Sequence, residues 1–351
     1  HAPTPTPTQT QTQMETMRRR HRSGPGRRSD VALRTPDVND EHDKALMARI
    51  AWLYYNHGLT QQAIGDMLGF SRNKVLRLLA RARDEGIVQI RVDHPSIRYM
   101  ELEERLTAAF GFREALVVPS GDTPEQTLEA LGQFGAMYLE RTVAPGDAVG
   151  TAWGVTLRQV ARHLRPRPLS DVTVVQLLGG LHADGLINPL DVARVVAEKF
   201  EGRLQMLYTP AIVDTPEIRD ALLSDNAIAQ TLAAGAAVKK ALVGIGDVTD
   251  DSSLLRWQAL SPGEMAELRR LGAVGDILGR HFDIHGRPVE TPLSERTIGI
   301  SLDALQAIPH VIAVAGGARK VEAIVGALRG GYVDTLITDH RTAEAVLGAS
   351  R

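Results

Sequence analysis

The chain has 351 residues, with 40 Lys or Arg against 42 Asp or Glu and a formal net charge of −2, which is room for one large domain and one small one. It contains no cysteine, and that excludes a disulfide framework, thiolate metal ligands and a Cys nucleophile. Its apolar runs, such as the one from Thr173 to Leu181, fall well short of the ~20 residues a membrane helix needs.

Charge is distributed unevenly. Residues 1–98 hold 16 Lys or Arg against 10 Asp or Glu, and the remainder holds 24 against 32. A basic head on an acidic body suggests that only the head seeks a polyanion. Residues 1–40 open with a Pro/Thr/Gln run and continue with an Arg-rich stretch, Arg18 to Arg28, that has no apolar partner face. This composition reads as a disordered tail able to brush DNA phosphates. No apolar h-region follows the arginines, so a secretory signal is not expected.

Residues 41–95 read as a small all-helical head. Ala45, Leu46, Ala48, Ile50, Ala51, Leu53 and Tyr54 form a helical apolar stripe ending at Gly58. Thr60 can cap a second helix, with Ala63, Ile64, Met67 and Leu68 inward and Gly69 stopping it. Ser71 can cap a third, running to about Arg83. In that third helix Val75, Leu78, Leu79 and Ala82 fall at core-facing spacing, and Asn73 and Arg77 lie opposite. Helix, glycine turn and basic amphipathic helix together predict a helix-turn-helix. Arg72, Asn73 and Arg77 are the candidates for base edges, since Arg pairs with guanine and Asn with adenine in the major groove. Gln61, Ser71 and Lys74, near helix N-termini, are the candidates for phosphates. The blander alternative is a three-helix bundle with a solvated basic face. Ile87 to Val92 alternates like a strand, and Asp93-His94-Pro95 breaks it.

Beyond a helix from about Arg98 to Phe110, strands alternate with helical patterns. The strands begin near Glu114, Asp147, Thr173, Leu204, Lys240, Val311 and Asp334. Such alternation predicts an α/β domain, residues 96–351, with a mainly parallel sheet whose ligands sit beyond the strand C-termini. Three segments each read as a strand ending in Gly-rich chain that opens a helix. Gly150, Thr151, Gly154 and Thr156 form the first, Gly244, Gly246 and Asp247 the second, and Gly316, Gly317 and Lys320 the third. Backbone amides, hydroxyls, a helix N-terminus and a lysine suit an anion. Singly each is as consistent with a tight turn, but three in one parallel sheet converge on one face. Neither the Walker pattern nor the dinucleotide fingerprint is present. Asp276 and Asp283 either bind sugar hydroxyls or cap turns.

The ordered set of these segments, over roughly residues 44–348, resembles the SorC/DeoR-type sugar-binding transcriptional regulators. The resemblance implies an effector domain of the sugar-phosphate isomerase/deaminase type, a phosphorylated sugar as effector, operator DNA as partner, and a cytoplasmic homodimer or homotetramer. It implies no cofactor and no metal. It assigns the phosphate to Gly150, Thr151, Gly154 and Thr156, with Gly316, Gly317 and Lys320 closing on it, and the sugar to Gly246, Asp276 and Leu278. The competing class is an active isomerase or deaminase carrying a DNA-binding head, which needs a carboxylate base after the middle Gly-rich segment. Asp247, Asp250 and Asp251 stand there, but the acidic catalytic run of the isomerase is not matched. Of the body lysines, Lys199, Lys239, Lys240 and Lys320, the last is expected to meet phosphate rather than to trap a carbonyl.

Overall fold

The computed structural model describes residues 38–89, 96–180 and 189–350, and the chain divides into two compact units, residues 1–92 and 93–351. Residues 1–37 of the expected tail lie outside the described residues. Residues 38–40, assigned to that tail, instead begin the first helix, whose opening turn carries Asp40 and Glu41. Acids there complement the helix dipole, and Lys44 pairs with Asp40 at 2.8 Å.

The first unit contains α1 (Val38–Tyr55), α2 (Gln61–Leu68) and α3 (Arg72–Asp84). Met47, Ile50 and Ala51 of α1, Ile64 of α2, and Val75, Leu78, Leu79 and Ala82 of α3 form one buried core. The Thr60 hydroxyl accepts from the Ala63 amide and the Ser71 hydroxyl from the Lys74 amide, both at 3.2 Å. Each such cap contributes about 1 kcal/mol. Gly69 closes α2 in the left-handed region, φ 70°. Met67, expected inward, is 60% exposed. The buried face of α2 is instead centred on Ile64 and Gly65. The chain turns back against Gly65 there, and a Cβ at that position would meet the Phe70 carbonyl at 2.5 Å. The described part of the expected strand after α3, residues 87–89, is not a strand. Ile87 and Val88 pack on the head core, and the Val88 amide donates back to the Ala82 carbonyl at 2.9 Å. The rest of that strand lies outside the described residues.

The second unit runs α4 (Ile97–Phe110), β1 (Glu114–Val118), α5 (Pro124–Thr142), β2 (Ala148–Thr151), α6 (Val155–His163), β3 (Thr173–Gln176), α7 (Pro189–Phe200) and β4 (Arg203–Gln205). It continues with α8 (Pro216–Leu223), α9 (Asn226–Ala236), β5 (Lys240–Val243), β6 (Gly246–Asp247), α10 (Ser253–Arg256) and α11 (Pro262–Arg270). Then come β7 (Ala273–Ile277), β8 (Arg280–Asp283), α12 (Leu302–Gln306), β9 (Val311–Val314), α13 (Val321–Arg329), β10 (Thr335–Asp339) and α14 (His340–Gly348).

All seven strands expected from the sequence join one sheet, in the order β1-β10-β9-β5-β2-β3-β4. Every pairing in it is parallel. The inner strands β9 and β10 are buried at every residue, which is why they read as unbroken apolar or Thr-containing runs rather than alternating ones. From β2 the chain builds outward through β3 and β4, and from β5 it builds the other way through β9 and β10. The order therefore reverses between β2 and β5, and a crevice opens at such a switch point beyond the strand C-termini.

A second sheet, β6-β7-β8, is antiparallel. It corrects the reading of the middle Gly-rich segment. After β5 the chain enters a two-residue strand, β6, not a helix, because Gly246 and Asp247 pair with Asp276 and Gly275 of β7.

Candidate functional site

In the head, α3 presents Arg72, Asn73, Lys74 and Arg77 to solvent. Among the described residues none forms a hydrogen bond or ion pair with the side chains of Arg72, Asn73 or Arg77. Lys74 places its ammonium 3.8 Å from the Phe70 ring centroid, a cation–π contact that holds it at the start of the helix. Ser71 is exposed at the N-cap, and Gln61 is half-buried in the first turn of α2. Arg81, farther along, is engaged by Glu85 at 2.8 Å and Asp43 at 3.6 Å. The free cations and amide thus cluster in the N-terminal half of α3, the part of a recognition helix that meets base edges.

In the second unit a cavity of about 930 Å³ opens over the switch point. Gly154, Thr156, Gly246, Asp276, Leu278, Gly316, Gly317 and Lys320 all line it. Gly150 and Thr151 do not. They lie in β2 beneath the cavity, where a Cβ at Gly150 would strike the Leu177 side chain at 2.6 Å. Thr151 is fully buried, with its hydroxyl unpartnered among the described residues. Two of the expected site residues are therefore strand residues that support the floor.

Gly154 enters α6 at φ 146° with no side-chain cap, so the first-turn amides of α6 stay open towards the cavity with the positive helix end behind them. Across from them, Lys320 sits in a 3-10 turn, Ala318–Lys320, that precedes α13 rather than in the helix itself. Its ammonium donates to the Ile245 carbonyl at 2.5 Å. Burial pushes the Lys320 ammonium below its ordinary pKa, while the Asp247 and Asp276 carboxylates pull the other way.

Asp276 is 6% exposed, and burial pushes its carboxyl up, against the pull of His281, the Gly279 amide and Lys320. It accepts from the Gly279 amide at 3.0 Å, so it caps the β7–β8 turn and also faces the cavity. That turn has two residues, Leu278 at φ 57° and Gly279 at φ 69°, as a tight hairpin requires. A leucine in the left-handed region costs about 1–2 kcal/mol. Here its side chain is buried against the cavity wall. Gly246 admits no side chain, because a Cβ there would lie 1.9 Å from Asp276 Oδ1. Asp283 does not line the cavity. It accepts from the His285 and Arg287 amides, both at 2.9 Å, and so holds a turn.

Several cavity residues escaped the sequence reading. The first is Asp339 at the end of β10, which is 2% exposed. It accepts from Ser120 Oγ at 2.5 Å, the Gly317 amide at 3.2 Å and the Thr342 amide at 3.2 Å. Burial pushes its carboxyl up, but the bonds from Ser120, Thr342 and Gly317 outweigh this and hold it below the usual range. Since the Gly317 amide also donates to Thr342 Oγ1 at 2.7 Å, it is committed within the fold. The second is the loop from Ser120 to Thr123, a fourth strand–loop–helix junction whose signal was the Gly-Asp-Thr-Pro run after β1. Arg256, Arg319 and Arg341 also line the cavity. Trp153 lines it and packs against Trp257, with ring centroids 4.9 Å apart and the planes tilted by 55°.

The arrangement suits a small polar anion: open helix amides, a lysine opposite, and buried carboxylates to accept from hydroxyls. Asp247, where a general base would stand, is 4% exposed and already accepts from the Thr249 amide at 3.1 Å and from its hydroxyl. Lys239 and Lys240 pair with Asp147 at the opposite, N-terminal ends of the strands. Among the described residues no cluster of His, Asp or Glu is positioned to hold a metal ion, and no helix is long and apolar enough to cross a membrane.

The family described as "Putative sugar-binding domain" matches residues 94–348. The chain is 36% identical over 311 residues to the deoxyribonucleoside regulator of Bacillus subtilis (strain 168), spanning 88% of this chain and 99% of that one. It is 34% identical over 308 residues to the erythritol catabolism regulatory protein EryD of Brucella abortus (strain 2308), spanning 87% and 97%. Among solved structures it is similar to the full-length sorbitol operon regulator SorC from Klebsiella pneumoniae, at TM-score 0.68 and 32% identity, over 86% of this chain and 98% of that one.

Proposed function

Because this chain belongs to the sugar-binding transcriptional regulators of the SorC/DeoR type, we propose that its head reads an operator and its cavity takes a phosphorylated sugar that changes the operator affinity. Arg72, Asn73 and Arg77 read base edges, and Gln61, Ser71 and Lys74 hold phosphates of the DNA backbone. In the cavity the effector phosphate sits against the amides of Gly154 to Thr156 and the ammonium of Lys320, beside the Gly316–Gly317 turn. Asp276 accepts from sugar hydroxyls, with Gly246 and Leu278 forming the wall around them. The regulator acts in the cytoplasm as a homodimer or homotetramer, since one short head covers too little DNA for tight binding and paired heads match half-sites one helical turn apart.

One observation carries the effector reading. The open N-terminus of α6 and the ammonium of Lys320 line the same cavity at the switch point, where a dianionic group gains charge-assisted bonds from both. A thermal-shift series with pentose and hexose phosphates and their unphosphorylated parents tests it. A phosphorylated sugar should raise Tm and its parent should not. Equal stabilisation by parent and phosphate, or none by any phosphate, contradicts the reading.

A further inference from the structure

The outer face of α3 carries one large apolar side chain among its cations. Leu76 is 47% exposed, while Val75, Leu78, Leu79 and Ala82 of the same helix are buried. At about 100° per residue Leu76 lies roughly 40° around the helix from Arg72 and 60° from Asn73, on the face expected to enter the groove. We propose that Leu76 is a specificity residue that packs on the 5-methyl group of a thymine, next to the bases met by Arg72 and Asn73. The inference rests on the reading of α3 as the recognition helix.

Charge names the occupant of this face. Arg72 and Arg83 lie within about 40° of Leu76 around the helix and Arg77 about 100° away, and such a surface complements a polyanion. Within the major groove the thymine methyl is the apolar group that the base edges offer. Over cytosine, or over a purine edge, the leucine would strip water from a donor or acceptor and give nothing back. It therefore selects thymine both by what it gains there and by what it loses elsewhere.

The test uses the full-length protein. Binding sites are selected from a random duplex pool, and each thymine of the enriched site is then replaced singly by uracil, which pairs identically but lacks the methyl. Affinities are measured for wild type and for Leu76→Ala, a change at an exposed helical position to a stronger helix former, with thermal unfolding as the folding control. At one thymine per half-site, uracil should weaken wild type about three- to fivefold, the worth of one buried methyl. Leu76→Ala should bind the thymine and uracil versions equally. A sequence-specific complex in which every uracil substitution has the same effect on both proteins overturns the role of Leu76 and leaves the recognition helix standing. Failure of any sequence to be enriched refutes the recognition helix itself, and the inference with it.

Discussion

Gly246→Ala probes the tightest junction in the effector cavity. The added Cβ would lie 1.9 Å from Asp276 Oδ1 and 2.9 Å from its Cγ, where real Cβ atoms stay beyond 3.0 Å. The carboxylate or the strand must therefore shift by about 1 Å. Asp276 is buried and bonded to the Gly279 amide, and β6 is pinned to β7 on both of its residues. Leaving a buried hydrogen-bonding group unsatisfied costs about 1–3 kcal/mol, and overpacking adds about 1–3 kcal/mol. Urea unfolding at neutral pH should show Gly246→Ala destabilised by about 2–6 kcal/mol. Removing the oxygen first, with Asp276→Ala, should cut the added cost of Gly246→Ala to about 1 kcal/mol or less, a coupling of roughly 1 kcal/mol or more. If the alanine costs under ~0.5 kcal/mol alone, or the same in both backgrounds, the carboxylate does not lie against Gly246 and the cavity wall is drawn wrongly.

Three more outcomes follow from the geometry. Burial depresses the Lys320 pKa in the free protein, and a phosphate beside it must raise that pKa. Between the two values binding takes up a proton and affinity falls as pH rises. Calorimetry of a binding sugar phosphate across a pH series, in buffers of different ionisation enthalpy, should show more proton uptake in wild type than in Lys320→Met, and equal uptake by the two at every pH would remove Lys320 from the anion site. Asp339 is held below the usual carboxylate range by its hydrogen bonds, so its contribution is present above ~3.9 and is lost as pH falls through the folded value. Asp339→Asn should lower stability at pH 7 by about 2–4 kcal/mol and flatten the acid limb of the stability curve; an unchanged acid limb would show that the network does not depend on the charge. Arg77→Ala should relax sequence preference at its base at a cost of about 1–3 kcal/mol per half-site, while Lys74→Ala weakens all DNA alike and flattens the salt slope by about one unit. Filter binding across salt concentrations separates the two, and a wild-type ratio of operator to random affinity in Arg77→Ala would unseat it as a base reader.

Much of this fold was legible because the physics was local. The seven sheet strands announced themselves as short apolar runs between helical patterns, and the head by caps and periodicity that need only neighbours in sequence. The misses share a different cause. β6 has two residues and exists only because β7, far along the chain, pairs with it, so nothing in Gly246-Asp247 marks a strand. Gly150 has the sequence look of an anion cradle, but its missing side chain makes room for Leu177 of the adjoining segment. Asp339 looked like an ordinary end of strand, and its grip on Ser120, across 219 positions of sequence, appears only once β1 and β10 lie side by side. Met67 fits the apolar spacing yet faces solvent, because helical spacing alone fixes the centre of a buried face only to within about one residue.

The central claim is that the cavity and the head are coupled. Operator affinity can respond to a sugar phosphate only if that ligand favours one subunit arrangement, and linkage then requires the operator to change the ligand's affinity by the same factor. Titration of the full-length protein with its sugar phosphate, by calorimetry with and without saturating operator, measures that factor. The dissociation constant should change by about 5–150-fold, the usual 1–3 kcal/mol of coupling, in whichever direction operator occupancy responds. Identical isotherms, for every sugar phosphate that binds, would contradict the claim that this cavity is the sensor for this head.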